Sequence, residues 1–258
     1  MRIVRFSRDR KIKYGVVEGD WIKGYRGSPF VPANRKKADF CPDVTACKIS
    51  EVKLLAPCLP SKIICLGLNY RSHAREFNLP IPKSPIIFIK PPTAVIGPED
   101  DIILPNDARI DYECELAVVI GKKAKNIPAG DYADYVLGYT CFNDVTDRYA
   151  QKDDGQWTRA KSYDTFAPLG PYIETEIDPH NLLVETYLNG DRKQSARTGD
   201  LIFGISEIIS FISGIMTLLP GDVIATGTPS GIGRIKAGDT VEIKIEGIGT
   251  LRNGVVHA

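Results

Sequence analysis

Glu113 and Glu115 stand two apart in Asp111-Tyr-Glu-Cys-Glu-Leu-Ala-Val-Val-Ile-Gly121. In a strand, positions i and i+2 point to one face, with their bases roughly 6–7 Å apart. Two carboxylates side by side next to an apolar run repel each other. A hard divalent cation relieves that repulsion, since oxygen ligands at about 2.0–2.1 Å suit magnesium. The plainer reading of the pair alone is an exposed edge strand whose glutamates meet lysines across the sheet. Asp144 adds a third carboxylate. It follows a strand-like run in Asn143-Asp-Val-Thr-Asp-Arg148, where the chain passes towards a helix. An aspartate there can be a helix cap, but strand ends also carry site residues. Brought to the same face, Glu113, Glu115 and Asp144 complete an all-oxygen set with open positions, which disfavours zinc, copper and iron–sulfur centres.

His73 and Glu76 lie three apart in a segment that reads as helical, so they share a face. A carboxylate beside an imidazole orients it and suits it to general-base work near neutrality, although a surface His–Glu pair has the same spacing. The other histidines, His180 in Asp178-Pro-His-Asn181 and His257 beside the terminus, have no such context. Lys161, in Trp157-Thr-Arg-Ala-Lys-Ser-Tyr163, has aromatic and small neighbours that allow a partly buried ammonium. Thr226-Gly-Thr-Pro-Ser-Gly-Ile-Gly233 is a glycine-rich loop whose backbone N–H groups can hold a carboxylate or phosphate, or simply make a tight turn. It matches neither a P-loop nor a dinucleotide fingerprint, because no helical pattern follows.

The elements that must position these residues are mostly strands. Arg2 to Phe6 and Lys13 to Val17 read as strands with a turn at Glu18-Gly-Asp20. Pro57 and Pro60 close a small N-terminal β-domain. Beyond them, Lys62 to Leu66, Pro85 to Lys90, Glu113 to Ile120 and Val136 to Phe142 read as strands. Tyr70 to Phe77 and Thr146 to about Lys152 read as helices, and Asn78 to Pro85, with three prolines, as loop. The clearest helical pattern runs from Ser206, a suitable N-cap, to Leu218, with Ile208, Ile209, Ile212, Ile215, Met216 and Leu219 on one face. Strands outnumber helices and do not alternate with them, which predicts an α+β fold with a large mixed sheet.

The whole-chain properties exclude several classes. The 258 residues carry 33 Lys+Arg against 32 Asp+Glu, a formal net charge of +1 that gives nucleic acid nothing to grip. The densest basic cluster, Arg35-Lys36-Lys37, is too short for a binding tail. None of the six cysteines forms a C-x-x-C pair, and reduced, buried thiols in a cytoplasmic protein are expected. The N-terminus shows no apolar signal region. Leu201 to Leu219, the most apolar stretch, is too polar and periodic for a membrane span.

Taken together, several segments resemble the fumarylacetoacetate hydrolase family. They are Gly67-Leu-Asn-Tyr with His73-Ala-Arg-Glu76, Phe88-Ile-Lys-Pro-Pro-Thr-Ala-Val-Ile-Gly97, Asp111 to Gly121, Asn143-Asp-Val-Thr146, Trp157 to Ser162, and Leu218 to Gly233. The match runs in unbroken order over roughly residues 60 to 258. It implies a mixed β-sandwich roll at 59–258 behind a small N-terminal β-domain at 1–58, and a homodimer. It implies Mg2+ or Mn2+ on Glu113, Glu115 and Asp144, and a catalytic His73–Glu76 dyad on a mobile lid with Lys161. A small 2-oxo acid would be held by Arg148, Gln151, Gly227 and Thr228. The implied activity goes through a cation-stabilised enolate: hydrolysis of an acylpyruvate, or isomerisation of a 2-hydroxy-dienoate from aromatic catabolism. Oxaloacetate tautomerisation or decarboxylation is an alternative, and a non-catalytic, metal-stabilised binding protein is another. Two departures stand out. The family commonly has Ala-Arg-Asp where this chain has Asp147-Arg148-Tyr149, and Leu68 stands where some decarboxylating members carry arginine.

Overall fold

The computed structural model describes all of the chain except Ala33, Lys36 and Lys37, so the basic cluster at 35–37 falls largely outside the described residues. The first 48 residues form an antiparallel meander of Arg2–Arg8, Lys11–Glu18, Trp21–Gly27 and Phe40–Lys48. Asp9 and Arg10 both take positive φ, the backbone that lets a two-residue turn match the twist of its strands. The meander continues into a twelve-stranded sheet, because Arg2 and Ile3 pair with Glu174 and Ile173 of strand Ala167–Glu174. From there the order runs through Val136–Asn143, Cys114–Ile120, Val223–Ala225 and Ile63–Gly67 to the edge strand Ile86–Lys90.

A second sheet of five strands has the order Asp191–Arg197, Leu183–Leu188, Thr240–Ile245, Gly249–His257 and Ile102–Leu104. The core lies between the two. Leu116, Val118 and Ile120 point one way and share a cluster with Val184, Val241, Ile243 and Leu251. Ala117 and Val119 point the other way, onto Ile3, Ile63, Cys65 and Val223. Strand Cys114–Ile120 is therefore covered on both faces, which is why it reads as a continuous apolar run rather than an alternation. A small third sheet of Thr146–Asp147, Ile110–Tyr112 and Gly233–Arg234 closes the end where the carboxylates gather. Mixed sheets packed face to face with few helices make this the α+β sandwich expected from the sequence.

Four α-helices are present among the described residues: α1, Arg71–Glu76; α2, Arg148–Asp154; α3, Thr158–Lys161; and α4, Ile205–Ile215. Three expectations need correction. Helix α4 is capped by Gly204, not Ser206, and stops at Ile215. The chain leaves it early because Leu218 forms an antiparallel bridge with Ala124, each N–H donating to the other's carbonyl at 2.9 Å. Ile208, Ile209 and Ile212 are buried as expected, but Ile215 and Leu219 face solvent. Helix α2 starts at Arg148 rather than Thr146, since the Asp147 carboxylate accepts from the N–H of Tyr149 and Ala150 and caps it. All six cysteines are free and five are buried, but Cys41 is exposed.

Candidate metal centre and active-site cleft

Glu113 does not belong to the strand that holds Glu115. It sits in the break between Ile110–Tyr112 and Cys114–Ile120, so alternation within one strand does not align the two glutamates. The partner strand does. The Asn143 side-chain oxygen accepts from the Glu113 N–H at 3.0 Å, and the Asp144 N–H donates to the Glu113 carbonyl at 2.9 Å. These two bonds bring the exit of Val136–Asn143 against the break and deliver Asp144 to the glutamates. Carboxylate oxygens of Glu113, Glu115 and Asp144 all lie within 4.8 Å of one another. All three residues are buried, at 6%, 1% and 1% exposure, and strand Cys114–Ile120 is central. The exposed-edge reading of the pair is thereby overturned.

Three cations surround this acidic cluster. Lys161 Nζ donates to Asp144 Oδ2 at 2.6 Å and to Glu113 Oε2 at 3.0 Å. Lys90 Nζ donates to Asp144 Oδ1 at 2.5 Å and to the Val145 carbonyl at 3.0 Å. Arg148 pairs with Glu113, donates to Asp111 Oδ2 at 2.9 Å, and donates to Gln151 Oε1 at 2.8 Å. Both lysines are buried, deeper than Lys161's sequence context suggested. Burial pushes the Lys161 ammonium down, but Asp144 and Glu113 outweigh it and hold the group charged. Burial also pushes Glu113 up, yet Lys161 and Arg148 pull it below the usual carboxylate range. Glu115 behaves differently. Burial, then the charges of Asp144 and Glu113, push its carboxyl well above that range, and the Gly227 N–H at 2.7 Å only partly opposes them.

The residues fit a divalent cation. The donor set is oxygen throughout, and the repulsion felt at Glu115 is what a second-group or manganese ion would relieve. Counting Asp111, four buried carboxyl groups stand among the three cations named above, one more acid than base.

The cluster floors a cleft of about 480 Å³. Glu113, Lys161, Asp111, Arg148, Gln151 and Thr228 form its polar floor and wall, and Leu66, Leu68, Phe88, Trp157 and Ile232 its apolar wall. Glu115 and Asp144 stand behind Glu113 rather than on the cleft surface. Helix α1 closes one side with His73 and Glu76. His73 Nδ1 lies 3.1 Å from Glu76 Oε2. An ionised carboxylate only accepts, so a neutral imidazole in this pair carries its proton on Nδ1 and its lone pair on Nε2. Glu76 Oε1 accepts from the Gly231 N–H at 3.1 Å, which ties the dyad to the glycine-rich loop. Within that loop Gly227 has a φ of +97°, and a Cβ there would come within 2.8 Å of the Asn69 Cβ, so only glycine presents this N–H to Glu115.

The structure thus brings His73, Glu76, Lys161, Arg148, Gln151, Thr228 and Glu113 to one cleft and sets Glu115, Asp144 and Gly227 directly behind. Arg148 lines the cleft while pairing with Glu113 and Asp111, and the Gly227 N–H is taken up by Glu115. Of the other histidines, His180 is exposed and lies against Asp178 at 2.6 Å, and His257 is exposed. Sequence reasoning gave no role to Lys90, Asp111, Asn143 or Gln194. A lysine closing an apolar strand, Ile86-Ile-Phe-Ile-Lys90, was the available signal for the first.

Comparison with known proteins shows the family. The fumarylacetoacetate (FAA) hydrolase C-terminal family matches residues 62–256. The chain belongs to the fumarylacetoacetate hydrolase family. A second match, the Rv2993c-like N-terminal family, covers residues 1–57. Among solved structures of the hydrolase family, 5-carboxymethyl-2-hydroxymuconate delta-isomerase from Mycobacterium smegmatis superposes with a TM-score of 0.92 at 44% identity, covering 100% of both chains. Maleylpyruvate hydrolase from Sphingobium, solved with manganese (II) and pyruvate, gives a TM-score of 0.82 at 31% identity, again covering 100% of both chains. Mitochondrial oxaloacetate tautomerase of Bos taurus is 45% identical over 221 residues, 80% of this chain and 70% of that protein. By name these three relatives are an isomerase, a hydrolase and a tautomerase. No described helix is long and apolar enough to cross a membrane.

Proposed function

We propose that this protein is a divalent-metal-dependent enzyme that moves a proton next to the carbonyl of a small 2-oxo acid, completing either hydrolysis of an acylpyruvate or isomerisation of a 2-hydroxy-dienoate. The observation that carries the reading is the buried Glu113, Glu115 and Asp144 set beneath a cleft whose wall holds the His73–Glu76 dyad. Glu113, Glu115 and Asp144 would hold Mg2+ or Mn2+. When bound, the cation supplies Lewis acidity to the oxygens of a 2-oxo acid. The chain's own residues do the rest. Lys161, kept charged, adds positive charge where oxygen charge develops. Arg148 and Gln151 orient the acid group. Glu76 fixes the His73 tautomer, so Nε2 can take a proton from water or from carbon. The apolar wall of Leu66, Phe88 and Trp157 keeps bulk water from the reacting bonds.

The solved relative holding manganese and pyruvate supports the metal and the 2-oxo acid. The relative named as an oxaloacetate tautomerase favours a second reading, in which the proton transfer itself is the whole reaction. We infer a homodimer by analogy with the family. The test is turnover of a panel of pyruvoyl compounds, oxaloacetate included, with and without Mg2+ or Mn2+. At least one compound should turn over only with metal, and oxalate should inhibit. No turnover of any compound, with oxalate still binding, would leave a non-catalytic binding protein.

The lid makes a separate prediction. Helix α1 has six residues, is tied down by Asp200 accepting from the Ser72 N–H at 3.1 Å, and leads into a loop whose Leu79 and Ile81 are half exposed. Amides from Arg71 to Ser84 should exchange faster than those of Cys114–Ile120, and slow when oxalate and Mn2+ are added. Exchange equally slow in both states would mean the segment is fixed.

A further inference from the structure

Gln194 is the one fully buried residue of strand Asp191–Arg197, whose other residues are exposed except for half-buried Ala196. The ladder to Leu183–Leu188 shifts there. Thr186 pairs with Gln194 and Tyr187 with Arg192, so Lys193 bulges out of register. A bulge re-aims the neighbouring side chain. The Gln194 amide makes four hydrogen bonds. Its oxygen accepts from the Cys114 N–H at 3.0 Å and from the Thr186 hydroxyl at 2.8 Å. Its nitrogen donates to the Pro229 carbonyl at 2.8 Å and to Thr228 Oγ1 at 2.9 Å.

Two of those partners remove any choice of orientation. A backbone N–H can only donate, so the amide oxygen must face Cys114. A proline carbonyl can only accept, so the amide nitrogen must face Pro229. The same NH2 group therefore donates to the Thr228 hydroxyl and uses one of its lone pairs. The Thr228 proton has to go elsewhere. Among its neighbours are the Cys114 sulfur, a weak acceptor, and the cleft that Thr228 lines. An anionic carboxylate in the cleft is the stronger acceptor of the two.

We infer that Gln194 is a positioning residue that presets the Thr228 hydroxyl as a hydrogen-bond donor to the carboxylate of the bound acid. It never touches the acid itself. The inference rests on the 2-oxo acid reading above and adds a residue to it.

The test is a double-mutant cycle read by calorimetric binding of oxalate at saturating Mn2+. Gln194→Met keeps the shape and removes the four bonds. It should weaken oxalate about tenfold in the wild-type background, in keeping with one oriented bond to a charged group. In a Thr228→Val background the same change should cost less than about twofold, since no hydroxyl is left to orient. Mn2+ affinity should be unchanged throughout. Should the methionine variant fold poorly, Gln194→Glu keeps the oxygen that Cys114 and Thr186 bond and replaces only the donor. It should show the same larger loss with threonine than with valine. Equal losses in both backgrounds would mean Gln194 merely supports the loop, and would overturn the inference alone. Wild-type protein that binds no oxalate with Mn2+ present would overturn the functional reading, and the inference with it.

Discussion

Glu113→Gln should lower Mn2+ affinity at least about a hundredfold, equivalent to about 2.8 kcal/mol, and abolish metal-dependent turnover while unfolding stays cooperative. Glu113 differs from the two carboxylates behind it. It lines the cleft, and Lys161 and Arg148 hold it ionised. An amide of the same shape keeps a weak oxygen donor but loses the charge. The fold should survive because the loss is shared. Lys161 keeps Asp144, Arg148 keeps Asp111 and Gln151, and the charge that Glu113 imposes on Glu115 disappears. Calorimetric titration with Mn2+ measures the affinity, and denaturant unfolding measures the fold. An unchanged affinity would place the metal elsewhere and remove the central claim.

How much of this site is visible in the sequence varies residue by residue. The carboxylate trio is legible, because Glu-Cys-Glu before an apolar run and Asn-Asp after another are local patterns. The reason they meet is not. A continuous strand would align Glu113 with Glu115 by alternation, whereas the chain breaks at Glu113 and a side chain thirty positions away, Asn143, holds the break. Nothing within a window of a dozen residues reports a contact of that span. The same holds for Gln194, which looks like any polar residue of an exposed strand until the bulge at Lys193 turns it inward. Arg148 shows a different limit. Its position in the family pattern is readable, but its engagement with Glu113 and Asp111 follows only from packing. Of the two departures beside it, Asp147 caps the helix that Arg148 begins, and Tyr149 is exposed with no structural explanation.

The sheet itself was mostly readable. Buried strands declare themselves by unbroken apolar runs, and the meander of the first 48 residues by alternation and short turns. Helix ends were not readable. Helix α4 ends where Leu218 finds a strand-like partner in Ala124, and a tertiary bridge of that kind overrides a helical pattern that continues on paper to Leu218.

His73→Ala separates the work of the dyad from that of the metal centre. The two face the same cleft but stand on different elements. His73 and Glu76 sit on α1, whereas the carboxylates sit on the sheet and its exits, and no hydrogen bond among the described residues joins the dyad to the trio. Removing the imidazole should therefore leave Mn2+ and oxalate affinities within about twofold of wild type, as expected for sites without shared partners. Hydrolysis of an acylpyruvate needs water activated for attack on a distal carbonyl, and His73 Nε2 is the lone pair placed for that task. Its rate should fall by about a thousandfold, within the usual range for a lost general base. Tautomerisation of oxaloacetate draws more on Lewis acidity and should fall less. The comparison is made on one preparation, with metal saturating and both substrates assayed. Glu76→Gln is the companion variant. It keeps the bond to Nδ1 possible but lets that nitrogen act as acceptor, which puts the proton on Nε2, so hydrolysis should fall while α1 stays in place. An alanine variant that hydrolysed acylpyruvates at the wild-type rate would place the base elsewhere and leave His73 and Glu76 as a structural tie between α1 and the glycine-rich loop.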